Sequence, residues 1–275
     1  MGRPIVILAI LLSLACPAAA DLTLTTATRS AGPGPATSGR RRVSVSGQRV
    51  RMEPALGESS VAPSGAYQVS DGDTWVVVDP GTRTYWKQGH VSTKTRRFIR
   101  ALLGWREPRP PLTVDGIVVE RLREKEGGRI LGHPTRLVRC RLRFRINAWP
   151  VFASAEPVVP TVSEQHQIDE IWFAPSVEDE TLRRLVLATG FPDTDEQLAR
   201  TLASVRGLPL RRISRGRSRS GDTVYESTNV FEVDAIDRAT VPPSDFEPPA
   251  GYRRVRWEDA MKRQFAARAP GKTAP

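Results

Sequence analysis

The sequence predicts an α+β protein that is mostly β, with antiparallel strands as its main element. Apolar and polar residues alternate along most of the chain, as they do when successive side chains point to opposite faces of a strand. Turn signals such as Asp71-Gly72, Asp79-Pro80-Gly81 and Ser220-Gly221-Asp222 separate these segments. Helical spacing of apolar residues is confined to a few short stretches.

The first twenty residues predict an export signal. Arg3 precedes an apolar run from Ile5 to Leu14, and Ala18-Ala19-Ala20 offers a small-residue cleavage site. That run is short for a membrane span. We therefore assign residues 1–20 to a signal peptide cleaved after Ala20 and expect a periplasmic protein of a Gram-negative-type envelope. A membrane anchor and lipidation of Cys16 remain as alternatives.

The composition narrows the range of partners. Cleavage would leave Cys140 as the one cysteine, so core burial rather than a disulfide must hold the fold. The formal net charge is +11, which in the cytosol would suggest nucleic acid. Since export removes most nucleic acid from reach, we expect no nucleic-acid partner. An anionic membrane surface or a generic solvated basic surface remains.

The N-terminal half predicts several strands between residues 22 and 88, with a flexible stretch rich in glycine, proline and serine at 30–40. Leu22 and Leu24 alternate with threonines, and the segment 41–53 changes its phase at Gly47, which predicts a bulge or turn there. Residues 66–87 contain three β-rich stretches joined by tight turns, which predicts an antiparallel meander.

A short basic helix is predicted next. Phe98, Ile99, Leu102 and Leu103 fall at helical spacing among basic residues, before Gly104 and several prolines. The helix either packs on its own sheet or serves as a lid that touches a membrane.

Two long strands follow, with Gly127-Gly128 as the expected turn between them. In RLVRCRLRFRI (136–146), the arginines at 139, 141, 143 and 145 alternate with Cys140, Leu142, Phe144 and Ile146. The apolar row then sets the register, and the arginines keep the other face solvated. Glu120 and Glu124 are expected to share one face of the preceding strand and to lie across from the arginines. A grip on a polyanion is the alternative use of this row.

The C-terminal half begins with an irregular, proline-rich loop at 147–162 and a strand that places Asp169 and Glu170 on opposite faces. Residues 178–206 predict two helices, the first starting near Asp179 and the second at Thr194. A hairpin around Gly221, an extended segment at 241–255 and a helix from Trp257 complete the chain.

No catalytic motif emerges. The histidines His90, His133 and His166 lie on separate segments, and the sequence has no nucleophile elbow and no glycine-rich phosphate loop. We expect no enzymatic activity, no metal site and no cofactor.

Five segments together carry a family resemblance: GQRVRME (47–53), VVVDPGTRTYW (76–86), ILGHPTRLVRCRL (130–142), DEIWFAPSV (169–177) and VPPSDFEPPAGYRRV (241–255). In this order they resemble exported bacterial domains related to the lipoprotein-sorting proteins LolA and LolB. The resemblance implies a LolA-like domain over 21–255, followed by a short helix and tail at 256–275. It also implies a curved antiparallel sheet, an unclosed half-barrel with helices over the concave face and an apolar hollow that shelters acyl chains.

On this resemblance we expect a non-catalytic envelope protein that binds a lipid or an acylated lipoprotein. Strand alternation selects its expected lining residues, Leu142, Phe144, Ile146, Ile171 and Phe173, and the expected lid residues are Phe98, Ile99, Leu102 and Leu103. The alternative is an envelope structural or interaction module whose sheet packs its own helices and leaves no cavity.

Overall fold

One twelve-stranded sheet forms the body of the protein. The computed structural model describes residues 21–32, 36–53, 65–71, 74–88, 112–148 and 161–268. The strands in these ranges are β1 (Leu22–Ala31), β2 (Thr37–Ser46), β3 (Arg49–Met52), β4 (Tyr67–Ser70), β5 (Trp75–Asp79), β6 (Thr84–Gln88), β7 (Leu112–Ile130), β8 (His133–Ala148), β9 (Thr161–Ala174), β10 (Leu208–Ser220), β11 (Thr223–Asp237) and β12 (Arg253–Arg254). The helices are α1 (Glu180–Leu187), α2 (Pro192–Thr201) and α3 (Trp257–Arg268), with a 3₁₀ turn at Pro243–Phe246.

The strand order is β12-β6-β5-β4-β3-β2-β1-β11-β10-β9-β8-β7. Every pairing is antiparallel except that of β12 with β6. The two halves of the chain join where β1 pairs with β11, and β12 and β7 are left as edges. Since twist accumulates over many strands, such a sheet curves without closing. The predicted fold class is confirmed: α+β, mostly β, an open curved antiparallel sheet with helices.

The predicted turns at Gly47 and at Asp79-Pro80-Gly81 are confirmed, whereas Gly72 of the third predicted turn lies outside the described residues. Gly47 has φ +60° in the turn between β2 and β3, a conformation that glycine adopts without strain. In the turn between β5 and β6, the Asp79 carboxylate accepts a hydrogen bond from the Gly81 amide at 3.0 Å and one from the Thr82 hydroxyl at 2.7 Å. These local bonds fix the meander β4–β5–β6.

The expected turn at Gly127-Gly128 is wrong, because β7 continues through it to Ile130. Gly128, with φ +78°, takes up a register shift instead, and the chain turns at Leu131-Gly132, where both φ angles are positive. Two positive φ angles match the right-handed twist of the flanking strands. Side-chain pattern alone did not separate a bulge from a turn.

The expected common face of Glu120 and Glu124 is also wrong. A register shift between Arg121 and Arg123 places Glu120 opposite Arg141 but Glu124 opposite Val138, on the other side of the sheet. A bulge adds one residue to a strand and therefore exchanges the faces beyond it. The arginines still meet carboxylates across the strands, as predicted, since Arg141 and Arg143 both contact Glu120.

Helices α1 and α2 cover one side of the sheet, which we call the helix face and define by Val138, Leu142, Phe144, Ile171 and Phe173. A second buried cluster on this face contains Leu22, Leu24, Val43 and Val45 with Leu182 of α1. Both helices of 178–206 are confirmed, but α2 begins at Pro192 rather than at Thr194. Proline suits this position because the first helical amides need no intrahelical partner.

The C-terminal segment packs against the meander. Ala260 of α3 is buried with Val77 and Trp86 of β5 and β6. Residues 243–252 contact β3 and β4 on the opposite side: the Arg49 guanidinium lies 5.3 Å from the Phe246 ring centre, and Tyr252 packs in the cluster of Tyr67. The expected tail after Arg268 lies outside the described residues.

Candidate ligand-binding site on the helix face

The predicted lining residues share one face, as their alternation required. Leu142, Ile171 and Phe173 have no exposed surface, and Phe144 is 8% exposed. Ile146 lies further along the same row and is partly buried. The register puts Val138 opposite Ile171 and so carries this apolar row from β8 to β9.

Helices α1 and α2 fill the space above these residues. Leu187, Leu198, Leu202 and Val205 are buried against the row. Since this packing excludes water, a ligand can reach the residues under the helices only if the helices move away. The role of the five residues as a ligand lining therefore stays a prediction.

A buried ion pair fastens α1 to the sheet. Arg212 on β10 donates from Nε and Nη2 to one Asp169 oxygen, at 3.2 and 2.7 Å, and the two side chains are 8% and 0% exposed. Its Nη1 donates to the carbonyls of Val186 and Leu187, at 3.1 and 3.0 Å, at the C-terminal end of α1. Gln167 donates to the other Asp169 oxygen at 2.7 Å. The sheet thus satisfies two helix-end carbonyls that would otherwise lack donors.

A second arginine fixes the chain after α2. Arg183 donates to the carbonyls of Leu202, Val205 and Gly207 at 2.7–2.9 Å, and its guanidinium lies 5.0 Å from the centre of the Phe173 ring. Together the two arginines hold the helices in place through backbone carbonyls rather than through side-chain charges.

Part of the apolar row is only half-buried. Its outer part, which we call the apolar strip, consists of half-buried residues on β7 and β8 and at the start of α2: Val114, Ile117, Val119, Ile146 and Phe191. Val114 lies opposite Ile146, and the Phe191 ring lies 5.8 Å from that of Phe144. The strip therefore continues the core surface without a helix over all of it.

A polar surface, which we call the polar floor, borders the strip on β9 and β10. Gln165 lies opposite Phe144, and Ser163 lies opposite Ile146. The Gln165 amide donates to both Ser163 and Ser218, at 2.8 and 2.7 Å, and the two serine hydroxyls are 2.8 Å apart. An apolar chain on the strip would meet amide and hydroxyl groups at its side.

Two clefts lie elsewhere. One, of about 810 Å³, lies between α1 and α2 and has Glu180, Arg183, Leu187, Glu196 and Arg206 in its wall. The other, of about 370 Å³, lies on the opposite side of the sheet around His166 and Ile168. Neither is lined by the residues predicted from alternation.

The remaining predicted residues divide into two groups. The lid residues Phe98, Ile99, Leu102 and Leu103 lie outside the described residues. Cys140 lies on the helix face without exposed surface, and burial, followed by the nearby Asp169 charge, raises the pKa of its thiol to about 11. A thiol that stays protonated is a poor nucleophile.

Two kinds of site are absent from the described part of the chain. It contains no cluster of three or more histidine, cysteine or acidic side chains that could hold a metal ion. None of its helices is both long enough and apolar enough to cross a bilayer.

Sequence reasoning missed the Asp169–Arg212 pair and the polar floor. The only signal was that Asp169 and Gln167 share the alternation of Ile171, which puts polar groups on a face otherwise read as apolar. Arg212 is the neighbour of Ile213 and therefore lies on the opposite face, but nothing local connects it with a residue more than forty positions away.

Comparison with known proteins finds structural neighbours of low sequence identity. No family model matches the chain, and no curated protein matches it. The chain is similar in structure to a LolA superfamily protein from Nitrosomonas europaea, with 10% identity over 84% of this chain and 91% of that one, and a TM-score of 0.30. It is also similar to a Vibrio parahaemolyticus domain described as an outer membrane lipoprotein-sorting protein, with 6% identity, coverage of 88% and 92%, and a TM-score of 0.28.

Proposed function

We propose that the protein is a non-catalytic binding protein of the cell envelope that takes the acyl chain of a lipid or of an acylated protein. The acyl chain of this ligand lies on the apolar strip of the helix face. The carrying observation is that this strip extends the packed core into solvent beside a polar floor.

The strip suits an amphiphile better than a purely polar ligand. Its residues are half-buried, so each still has apolar surface that an acyl chain can cover. Each methylene removed from water contributes about 0.8 kcal/mol, so eight covered methylenes contribute roughly 6 kcal/mol before the cost of association. Gln165, Ser163 and Ser218 then offer hydrogen-bonding groups to an ester or amide at the end of the chain.

The experiment measures the displacement of a fluorescent fatty acid from the protein. In parallel, native mass spectrometry detects lipid bound to protein purified from the periplasm. The test variant is Ile117→Ser with Ile146→Ser, and we expect it to weaken binding by at least about tenfold, since each change removes several methylenes of contact surface. The matched control is Val118→Ser with Val224→Ser, two exposed valines on the other side of the sheet, which should bind as the wild type does.

An equal loss of fatty-acid binding in the test and control variants, or binding that survives only in the test variant, would show that the apolar strip is not the binding site. A second candidate function follows from the packing under α1 and α2, which favours an interaction module with no ligand. A protein that is purified without bound lipid and that ignores the fatty-acid probe would support that candidate.

Location is tested separately. An exported chain cleaved after Ala20 begins at Asp21, whose carboxylate accepts a hydrogen bond from the Val241 amide at 2.7 Å. The intact mass of the purified protein separates this product from one lipidated at Cys16 or one that retains its N-terminal segment.

A further inference from the structure

We propose that the side of the sheet opposite the helices docks on a bilayer surface that carries anionic phosphate headgroups. We call this side the arginine face and define it by Arg141, Arg143, Arg145, Arg215, Arg217 and Arg219. It does not include the apolar strip, so it is independent of the proposed acyl-chain site.

The register turns these arginines into two parallel columns. Arg143 on β8 and Arg217 on β10 both lie beside His166 of β9. The next pair, Arg141 and Arg215, lies beside Ile168. Strands lie about 4.8 Å apart and rise about 6.8 Å over two residues, so the columns stand about 10 Å apart with pairs about 7 Å from one another.

A groove lies over β9, β10 and β11 and reaches Arg141 of β8. The cleft of about 370 Å³ lies at His166 and Ile168, which put no carboxylate on its floor. Glu164 and Glu170 come before and after this stretch on the same strand, and Glu226 lines the rim. The groove thus presents guanidinium groups from both sides around a neutral middle.

The neighbouring carboxylates leave guanidinium donors free. Arg141 and Arg143 share the single carboxylate of Glu120, at 3.3 and 3.0 Å, and each side chain is still 46% exposed. Arg215 contacts Glu170 at 2.8 Å and is 54% exposed. A guanidinium has five N–H donors, and its planar fork matches the oxygens of a phosphate. These arginines can therefore contact a phosphate without first losing their carboxylate partners.

The extent of the face favours a surface over a single ion. The pairs continue to Arg145 and Arg219, beside Glu164, so the columns span three levels of the sheet. Val118, Val162 and Val224, at the same end of these strands, are 40–43% exposed. Their register places them on the arginine face as well. Arginines beside exposed aliphatic side chains suit a membrane interface, where phosphates and acyl carbons are both within reach.

The experiment is co-sedimentation with vesicles of phosphatidylcholine alone and of phosphatidylcholine mixed with phosphatidylglycerol. Wild-type protein should bind the mixed vesicles and not the neutral ones, and added salt should weaken the binding. In the test variant, arginines 141, 143, 215 and 217 become glutamine. Each basic residue near an anionic membrane contributes about fivefold in affinity, so we expect a loss on the order of several hundredfold.

The matched control removes the same charge elsewhere, from arginines 184, 200, 253 and 254, which are also exposed. Arg184 and Arg200 are each paired with one carboxylate, as Arg141, Arg143 and Arg215 of the tested set are. Binding should fall far less in this control. A further variant, Glu164→Gln with Glu226→Gln, should bind more tightly because it removes carboxylates beside the groove. It keeps the test informative should the first variant fold poorly, which thermal unfolding would show.

Three results would overturn the proposal. The first is an equal loss of binding in the test variant and the control variant, which would indicate that net charge alone is responsible. The second is binding to neutral vesicles as tight as binding to anionic ones. The third is competition by free inorganic phosphate at micromolar concentration, which would indicate a site for a small anion. Vesicle binding should persist in the apolar-strip variant, Ile117→Ser with Ile146→Ser. Failure of the membrane-docking proposal can therefore be distinguished from failure of the proposed acyl-chain binding.

Discussion

Replacement of Arg212 by Met tests how the helices are held on the sheet. In the wild type, Arg212 makes two hydrogen bonds to Asp169 and two to the carbonyls of Val186 and Leu187, in a site where its side chain is 8% exposed. The methionine leaves the fully buried Asp169 with Gln167 as its remaining side-chain donor. Removing one partner of a buried pair costs about 3–5 kcal/mol, and we expect a loss of that size in the free energy of unfolding.

The assay is urea denaturation followed by circular dichroism, with the free energy obtained by linear extrapolation. Arg141→Met is the matched control, because Arg141 also pairs with a carboxylate on a neighbouring strand but is 46% exposed. An exposed pair of this kind contributes at most about 1 kcal/mol. The double variant Arg212→Met with Asp169→Leu removes the uncompensated charge and should recover about 2 kcal/mol of the loss.

The reasoning fails if Arg212→Met stays within about 1 kcal/mol of the Arg141→Met control. It also fails if the double variant is less stable than the single one by the full cost of a second independent change, since the two residues would then act separately.

Two further predictions concern single residues. Burial raises the pKa of the Cys140 thiol to about 11, from 9.0 for an exposed thiol, so the folded state holds the proton more tightly than the unfolded state does. The contribution of the protonated thiol to stability is therefore complete below pH 9 and is lost as the pH rises to about 11. The loss amounts to roughly 3 kcal/mol, and Cys140→Ala should lack that part of the pH dependence in urea titrations. An identical slope in both proteins would contradict this prediction. Gly207 has φ +95°, and a Cβ there would lie 2.2 Å from the Ala174 carbonyl oxygen, whereas Gly47, with φ +60°, has open space around it. Gly207→Ala should therefore lower the melting temperature far more than Gly47→Ala, whose cost is about 1 kcal/mol, and similar shifts would refute the contact.

The face of the buried apolar row was predictable because strand alternation is a local property, whereas Ile146 is the one residue of the apolar strip that the sequence predicted. The faces of Leu142, Phe144, Ile171 and Phe173 follow from parity along two strands that contain no bulge between them. The same rule failed on β7, where a bulge between Arg121 and Arg123 reversed the faces of Glu120 and Glu124. Bulges depend on the partner strand, so a single strand's pattern does not show them.

The sequence by itself determined the β-rich class, the meander turns, the two helices of 178–206 and the separation of arginines from the apolar row. These features depend on side-chain period and on turn residues, which act over a few positions. Tertiary structure alone decided that β1 pairs with β11, that Asp169 meets Arg212, and that the arginines of β8 and β10 form two columns on either side of β9. Each of these joins residues far apart in the chain, and such contacts depend on how the whole sheet pairs, which no local pattern encodes.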